Sequence, residues 1–378
     1  MEDAQTLLTT FRRDLHQIPE LDFDLPQTCA YVENVLKDLR CEIIHPCKSA
    51  VCAFFDFGKE TTTAIRADMD ALPITEVAPE NEAFKSTHPG KMHACGHDGH
   101  MSMALTAATY VNELLTSGDD LPNNILFVFQ PAEETTGGAK IVCESGVFEQ
   151  FNTTKIFGFH VWPDLPAHTL GCRSGALLAR ASETTVTFHG VSSHIAKFEQ
   201  GRDALLAGAQ FTCACNDAIN ALNEQEPCLL KFGHMESGSV RNAISPYTRI
   251  EGSLRVFSDR MFTDAQDAVR ACAEEAAAAQ GCTVDVHFAE GYPPVINEPE
   301  LFARAYAALK EHTEITLLDI EKPLLIAEDF AFYQKHLPGV FFLVGTGTGI
   351  PLHADTFMFD EEILMTGFKT YQELVHLA

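Results

Sequence analysis

The most reactive stretch of the chain runs from Met92 to His100 and has the sequence MHACGHDGH. It places one thiol, three imidazoles and a carboxylate close together. Thiolates and imidazoles are the ligands that zinc and similar divalent ions prefer. Cys95 and His97 are two residues apart, so their side chains point to the same side of an extended backbone. This spacing predicts two ligands of a metal site.

Other polar residues follow short apolar runs that have the character of buried strands. Glu133 and Glu134 come just after the run at 125–129, and His160 follows the run at 156–159. Open parallel sheets bind ligands at the carboxyl ends of their strands. A third run, at 340–345, leads into a loop that contains another histidine. We therefore expect one metal site to be formed by Cys95, His97, Glu134, His160 and His353.

Five protein ligands are more than one tetrahedral zinc ion needs. Two neighbouring ions that share a bridging ligand would use all five, and such a pair can activate water and polarise a carbonyl. Of the adjacent glutamates, Glu134 would bind metal and Glu133 would remain available as a general base. The sequence thus predicts two divalent ions per subunit, Zn or Mn, with Ni and Co also open because one N/O/S site accepts several metals.

The pattern of elements predicts two domains in the 378 residues. Strand-like and helical segments alternate in 1–175 and again in 292–378, which is typical of an α/β domain with a mostly parallel sheet. Residues 176–291 follow the order β-α-β-β-α-β, which predicts an inserted ferredoxin-like α+β domain.

Composition excludes several classes of function. The formal net charge of −27 makes nucleic acid and anionic membranes poor partners. No apolar run is long enough to span a bilayer, and the acidic start Met1-Glu2-Asp3 is unlike a signal peptide. The 12 cysteines are scattered without the spacing of a disulfide framework. These features together predict a cytoplasmic protein.

Four segments of the chain resemble the M20 metallopeptidase family: 12–20 (RRDLHQIPE), 66–74 (RADMDALPI), 93–100 (HACGHDGH) and 129–134 (FQPAEE). The chain is most similar to the amidohydrolase branch, which holds N-acyl-amino-acid deacylases, hippurate hydrolase, auxin-conjugate hydrolases and N-acetyldiaminopimelate deacetylase. The resemblance implies a dinuclear metallohydrolase domain with an inserted lid and dimerisation domain. It implies Glu133 as general base and acid, and as metal ligands Cys95, His97, Glu134, His160 and His353.

The resemblance also reaches the inserted domain. His194, in the segment 190–194 (GVSSH), is similar to a family histidine that enters the partner subunit's active site and hydrogen-bonds the substrate carbonyl. Asn242, in the segment 241–244 (RNAI), is similar to a residue that contacts substrate. A homodimer formed through the lid is therefore implied. Because the protein is acidic, a substrate carboxylate needs a local cation, and Arg241 and Arg255 are the candidates.

The predicted reaction is hydrolysis of the amide bond of a small N-acyl amino acid, with an acetyl, benzoyl or similar acyl group. A dipeptidase or carboxypeptidase of the same family is the alternative within enzymes. A non-catalytic metal- or ligand-binding protein is an alternative of another class, although such a protein would have no use for Glu133. Thiol-redox chemistry at Cys95 is a third, and no second cysteine lies near it in sequence.

Overall fold

The computed structural model describes residues 3–378, and these divide into two units. The first unit takes the chain up to Gly175 and then Ile296–Lys322 and Asp329–Ala378. The second takes Ala176–Val295 and Pro323–Glu328. The predicted insertion at 176–291 falls inside the second unit.

The strands, numbered in chain order, are β1 Glu42–Ile44, β2 Val51–Phe55, β3 Thr62–Asp68, β4 Asn124–Gln130, β5 Thr153–Trp162, β6 Thr169–Cys172, β7 Gly175–Leu178, β8 Arg180–His189, β9 Cys228–Ser237, β10 Tyr247–Val256, β11 Thr283–Phe288, β12 Val295–Asn297, β13 Thr316–Asp319 and β14 Gly339–Gly345.

The α-helices are α1 Ala4–His16, α2 Pro26–Leu36, α3 His97–Ser117, α4 Gly138–Glu144, α5 Val147–Gln150, α6 Ala204–Asn223, α7 Asp259–Gln280, α8 Pro299–Glu311 and α9 Leu364–Val375. Four short segments are 3₁₀ helices: Pro79–Asn81, Ile195–Gln200, Asp329–Lys335 and Glu361–Ile363.

The first unit contains an eight-stranded sheet in the order β1-β2-β4-β3-β5-β14-β6-β13. Its centre, β4-β3-β5-β14, is parallel. At one edge β1 and β2 pair antiparallel, and at the other β6 runs antiparallel to β14. Every residue of β3, β4 and β14 is buried, as expected of strands that are covered on both faces. The sheet is therefore mixed, with the predicted parallel strands at its centre.

Two boundaries next to the predicted metal ligands differ from the sequence-based expectation. Helix α3 begins at His97, whereas the apolar periodicity predicts a start at His100. Gly96 takes a left-handed conformation (φ +87°) that allows the earlier start. Strand β5 continues to Trp162, past the predicted end at His160, because its last residues pair with the end of β14.

The second unit contains a four-stranded antiparallel sheet in the order β11-β8-β10-β9. Helices α6 and α7 pack together on one face of it, and Phe188, Phe211 and Val269 lie in their common core. Burial alternates along β8, so one face of the strand contacts the helices and the other does not. The element order is β-α-β-β-α-β, the ferredoxin-like arrangement.

Two further observations concern the chain as a whole. Within the part of the chain that the structure describes, no helix combines the length and apolar character that crossing a membrane requires. All 12 cysteines carry free thiols.

Candidate active site

Gly96 sets the relative position of the first two predicted ligands. It precedes α3 at φ +87°, and a Cβ atom at this position would lie 2.5 Å from Cγ2 of Val161 on β5. Only glycine satisfies both the backbone conformation and this close approach. Cys95 and His97 are thereby held against β5, which carries His160. The Sγ atom of Cys95 lies 3.3 Å from Nε2 of His160.

The two buried histidines each use one ring nitrogen for a backbone carbonyl and turn the other inwards. His97 donates from Nδ1 to the carbonyl oxygen of Asp70 at 2.7 Å. His160 donates from Nδ1 to the carbonyl oxygen of Val161 at 2.6 Å. Among residues 3–378, Nε2 of His97 is buried and has no hydrogen-bond partner. This pattern fixes the tautomer that metal-binding imidazoles need.

Glu134 and His353 complete the cluster from two other loops. Oε1 of Glu134 lies 3.2 Å from Nε2 of His353 and 3.9 Å from Nε2 of His97. His353 has a positive φ of 66°, which is uncommon outside glycine, and its backbone N–H donates to the carbonyl of Ala94 at 2.8 Å. His353 is half exposed, whereas the other four predicted ligands are largely buried.

The five predicted ligands form two groups that share one member. The donor atoms of Cys95, His97 and His160 lie within 4.8 Å of one another, and so do those of Cys95, Glu134 and His353. Cys95 is the residue that the two three-residue groups share. Each group has the size of a protein ligand set that leaves a coordination position open for water.

Asp70 holds the loop of Glu133 and Glu134 and one predicted ligand, His97, at the same time. Its Oδ1 accepts a hydrogen bond from the backbone N–H of Glu133 at 2.9 Å, and its Oδ2 accepts one from that of Glu134 at 3.1 Å. Its carbonyl oxygen holds His97. Burial raises the pKa of Asp70 well above its ordinary value, and the two backbone N–H groups oppose that shift. This role of Asp70 is not predicted from the sequence, in which the position of Asp70 just after β3 is the one available signal.

The electrostatics of the cluster favour a bound cation. Burial lowers the pKa of His160 to about 3 and also lowers that of His97, so both imidazoles are neutral and can donate lone pairs. Burial, with Glu134 and Glu133 nearby, raises the pKa of the Cys95 thiol well above its ordinary value. A thiolate at this position therefore needs a metal ion to stabilise it. Burial opposes ionisation of Glu134, but contact with His353 and the field of His97 lower its pKa.

A second buried network supports the helix that carries His97. Asp98, in the first turn of α3, lies 2.8 Å from Nδ1 of His16 and 3.3 Å from Nε of Arg12, both on α1. Nε2 of His16 lies 3.1 Å from Glu76. Asp68 accepts a hydrogen bond from Nδ1 of His100, also in the first turn of α3, at 2.6 Å.

The remaining predicted residues lie in the second unit. His194 is exposed, precedes the 3₁₀ helix Ile195–Gln200 and pairs with Ala243, next to Asn242. Arg241 lines a cavity of about 480 Å³. The structure thus brings His194, Arg241 and Asn242 together.

Arg255 does not join this group. It lies near the far end of β10, whereas the loop that carries Arg241 leads into the first residue of that strand, Tyr247. Eight residues of extended strand span roughly 26 Å. Burial lowers the pKa of Arg255. The two arginines therefore cannot clamp one carboxylate from the same place.

The sequence model of the family described as peptidase family M20/M25/M40 matches residues 64–377 of this chain. This chain belongs to peptidase family M20. Among its M20 relatives, N-acetyldiaminopimelate deacetylase of Streptococcus uberis is 35% identical over 354 residues, 92% of each chain. An uncharacterized hydrolase of Staphylococcus epidermidis is 34% identical over 377 residues, 97% of each chain.

A solved M20 structure shares the fold of this chain. It is the Bacillus subtilis protein described as a dinuclear metal-binding peptidase, which is 30% identical with a TM-score of 0.86. The match covers 100% of this chain and 98% of that one. Membership of the family makes the protein a metal-dependent amidohydrolase.

Proposed function

We propose that this M20 amidohydrolase cleaves the amide bond of small N-acyl amino acids at a pair of divalent metal ions. The observation that carries the proposal is the pair of three-residue groups that share Cys95, with Glu133 on the same loop as Glu134. The deacetylase relatives support the substrate class, since they are named for removing an acetyl group from an amino acid.

The residues present fit two metal ions. His97 offers a buried nitrogen that has no hydrogen-bond partner within residues 3–378, and His160 presents its free nitrogen to the Cys95 sulfur. One ion would be held by Cys95, His97 and His160, and the other by Cys95, Glu134 and His353. When bound, such ions lower the pKa of water and polarise a carbonyl oxygen. Thiolate and imidazole donors suit Zn, while Mn, Ni and Co are also possible occupants.

Glu133 is proposed to move the proton. Water adds to the amide carbon, the C–N bond breaks, and the products are a carboxylic acid and a free amino acid. Glu133 takes a proton from the attacking water and delivers it to the leaving nitrogen, as a general base and then a general acid. Its backbone is fixed by Asp70 and its side chain is 7% exposed, so the carboxylate has little freedom to move away.

We further propose that the second unit is a lid and a dimerisation domain. This unit exposes several large apolar side chains: Val191, Ile195, Phe198, Leu205, Leu206, Met235 and Val240. Phe198 and Val240 are each 60% exposed, which is costly for an isolated surface. A second copy of the chain would cover them. His194 would then hydrogen-bond the substrate carbonyl, Asn242 would contact the substrate, and Arg241 would bind its carboxylate.

The test is a substrate panel with matched variants. Purified enzyme, stripped by chelation and reloaded with Zn or Mn, is assayed on acetyl, benzoyl and longer acyl amino acids and on dipeptides. We expect turnover of N-acyl amino acids that requires metal. Glu133→Gln should keep both ions and lose about 10²–10⁴-fold in kcat, the usual contribution of a general base.

Two outcomes would contradict the proposal. Full activity of Glu133→Gln would remove this residue as the base, and activity of the stripped protein would remove the metal ions. A preference for dipeptides with a free α-amino group would instead favour the peptidase alternative, which the description of the Bacillus subtilis structure supports.

A further inference from the structure

Asp329 is a fully buried carboxylate that lies outside the proposed set of metal ligands. It is the first residue of the 3₁₀ helix Asp329–Lys335. Its Oδ1 accepts a hydrogen bond from Nη2 of Arg66 on β3 at 2.7 Å. Its Oδ2 accepts two, from Nε2 of Gln130 at 2.7 Å and from the backbone N–H of Ala139 at 3.0 Å. Three donors from three elements thus meet at one side chain.

The two donors on Oδ2 stand at opposite ends of one loop. Gln130 is the last residue of β4, and Ala139 lies in the first turn of α4. The residues between them, 131–138, carry both Glu133 and Glu134. A single oxygen atom of Asp329 therefore joins the start of this loop to its end.

The two ends of this loop, which we call its neck, approach each other closely between residues 131–132 and residues 137–138. We call the hydrogen bonds of Asp329 to Gln130 and Ala139 the clamp of this neck. The backbone N–H groups of Gly137 and Gly138 both donate to the carbonyl of Ala132 at 3.1 Å. A Cβ atom on Gly138 would lie 1.9 Å from the carbonyl oxygen of Pro131. Ala132 itself has a φ of +58°, which is unfavourable for alanine and persists only when its surroundings enforce it.

Asp329 is also close to the proposed base. A carboxylate oxygen of Glu133 lies within 4.8 Å of one of Asp329. The ion pair with Arg66, at 2.7 Å, offsets the charge of Asp329 beside the carboxylate of Glu133. Arg66 also contacts Gln130 at 2.8 Å, so the clamp is tied to β3 as well as to β4.

We propose that Asp329 is a positioning residue that holds loop 131–138, and with it Glu133, in the geometry that proton transfer needs. This inference rests on the proposed function for the role of Glu133. Asp329 touches neither the predicted metal ligands nor, on this view, the substrate. It acts through both ends of the loop, while Asp70 holds the middle.

The direct test is Asp329→Asn, which keeps the size of the side chain but turns an amide N–H₂ group towards donors. We expect kcat of the metal-loaded enzyme to fall about 10²-fold, the scale of a misplacement near 1 Å, while KM stays close to wild type. Hydrogen exchange, followed by mass spectrometry, should become faster in peptides that cover 131–138. Gly138→Ala forces the neck open without touching Asp329 and should give the same two effects.

The matched control is Tyr333→Phe, in the same 3₁₀ helix. It removes a hydroxyl that donates to Oε1 of Gln130 at 2.9 Å and leaves every hydrogen bond of Asp329 in place. This variant should keep wild-type exchange in the loop and nearly wild-type kcat. In a Glu133→Gln background, Asp329→Asn should add no further loss, because it acts through the same residue.

Equal loop exchange in Asp329→Asn and Tyr333→Phe would overturn the inference, as would an unchanged kcat or a further loss in the Glu133→Gln background. Failure of the proposed function would look different, since wild-type enzyme would then turn over no N-acyl amino acid. The exchange experiment needs no substrate and would still report whether Asp329 holds the loop.

Discussion

The candidate residues of the two units are held in opposite ways. In the first unit, Cys95, His97 and His160 are buried, and their positions are fixed by a glycine contact and by backbone hydrogen bonds. In the second unit, His194 and Arg241 are exposed, and Nδ1 of His194 accepts a local hydrogen bond from the N–H of Ala196. The first arrangement is prepared for chemistry before any substrate arrives. The second suits recognition, which can be completed by a substrate or a partner copy.

The largest effect on metal binding and activity should come from removing Cys95, the proposed shared ligand in the first unit. Cys95→Ala breaks both three-residue groups, so we expect loss of both ions and of activity by at least about 10³-fold, since an entire metal site supplies several kcal/mol to the transition state. Elemental analysis after gel filtration measures the metal. Cys52→Ala, at an equally buried thiol on β2, is the control and should retain both ions. Retention of two ions by Cys95→Ala would contradict the view that the buried residues of the first unit form the metal site.

A smaller effect on kcat is expected from a change at His194, in the second unit. His194→Ala should lower kcat about 10²-fold, the usual result of removing one donor to a developing oxyanion, without loss of metal. His234→Ala is the control, because His234 is also exposed in this unit and its Nδ1 is hydrogen-bonded to Oε2 of Glu251 at 2.9 Å.

Co-expression sharpens the same prediction. If His194 serves the partner's site, His194→Ala and Glu133→Gln subunits should complement each other in mixed twofold dimers and recover about a quarter of wild-type activity. Half of the dimers would be mixed, and half of their sites would be intact. Activity no higher than that of either variant alone would place His194 in its own subunit's site.

The smallest expected effect separates the two arginines. Arg241→Ala should raise KM for an N-acyl amino acid about tenfold, through loss of one charged hydrogen bond, and leave kcat nearly unchanged. Arg255→Ala, at the far end of β10, should leave KM near wild type. Steady-state kinetics on the corresponding N-acyl amine, which lacks the carboxylate, provides the control. The reverse ranking would assign the carboxylate site to Arg255.

Much of the first unit could be predicted because its signals are local. The uninterrupted apolar runs of β4 and β14 identify buried parallel strands, and the residues after them lie where the strand-end rule expects. Short or half-exposed strands such as β6 and β13 were missed, since four residues carry too little periodicity to identify them.

The contacts that hold the cluster together could not be predicted. Asp329 is 190 residues from Ala139 and 263 from Arg66, and no spacing rule connects such positions. The start of α3 at His97 could not be predicted, because the conformation of Gly96 depends on its contact with Val161 on β5. Metal-binding and acid–base residues can be recognised in the sequence by their type. The residues that position them can be recognised only from the contacts in the folded structure.

Asp70 shows what such positioning achieves. Its side chain anchors the amides of Glu133 and Glu134, and its own carbonyl anchors the imidazole of His97. The proposed base and two proposed ligands are therefore all hydrogen-bonded to one residue, just after the end of β3. Because all three residues are attached to Asp70, a displacement of Asp70 would shift them in the same direction. Asp70 thus links the loop of Glu133 and Glu134 directly to the helix of His97, so their separation depends on one side chain and its own carbonyl.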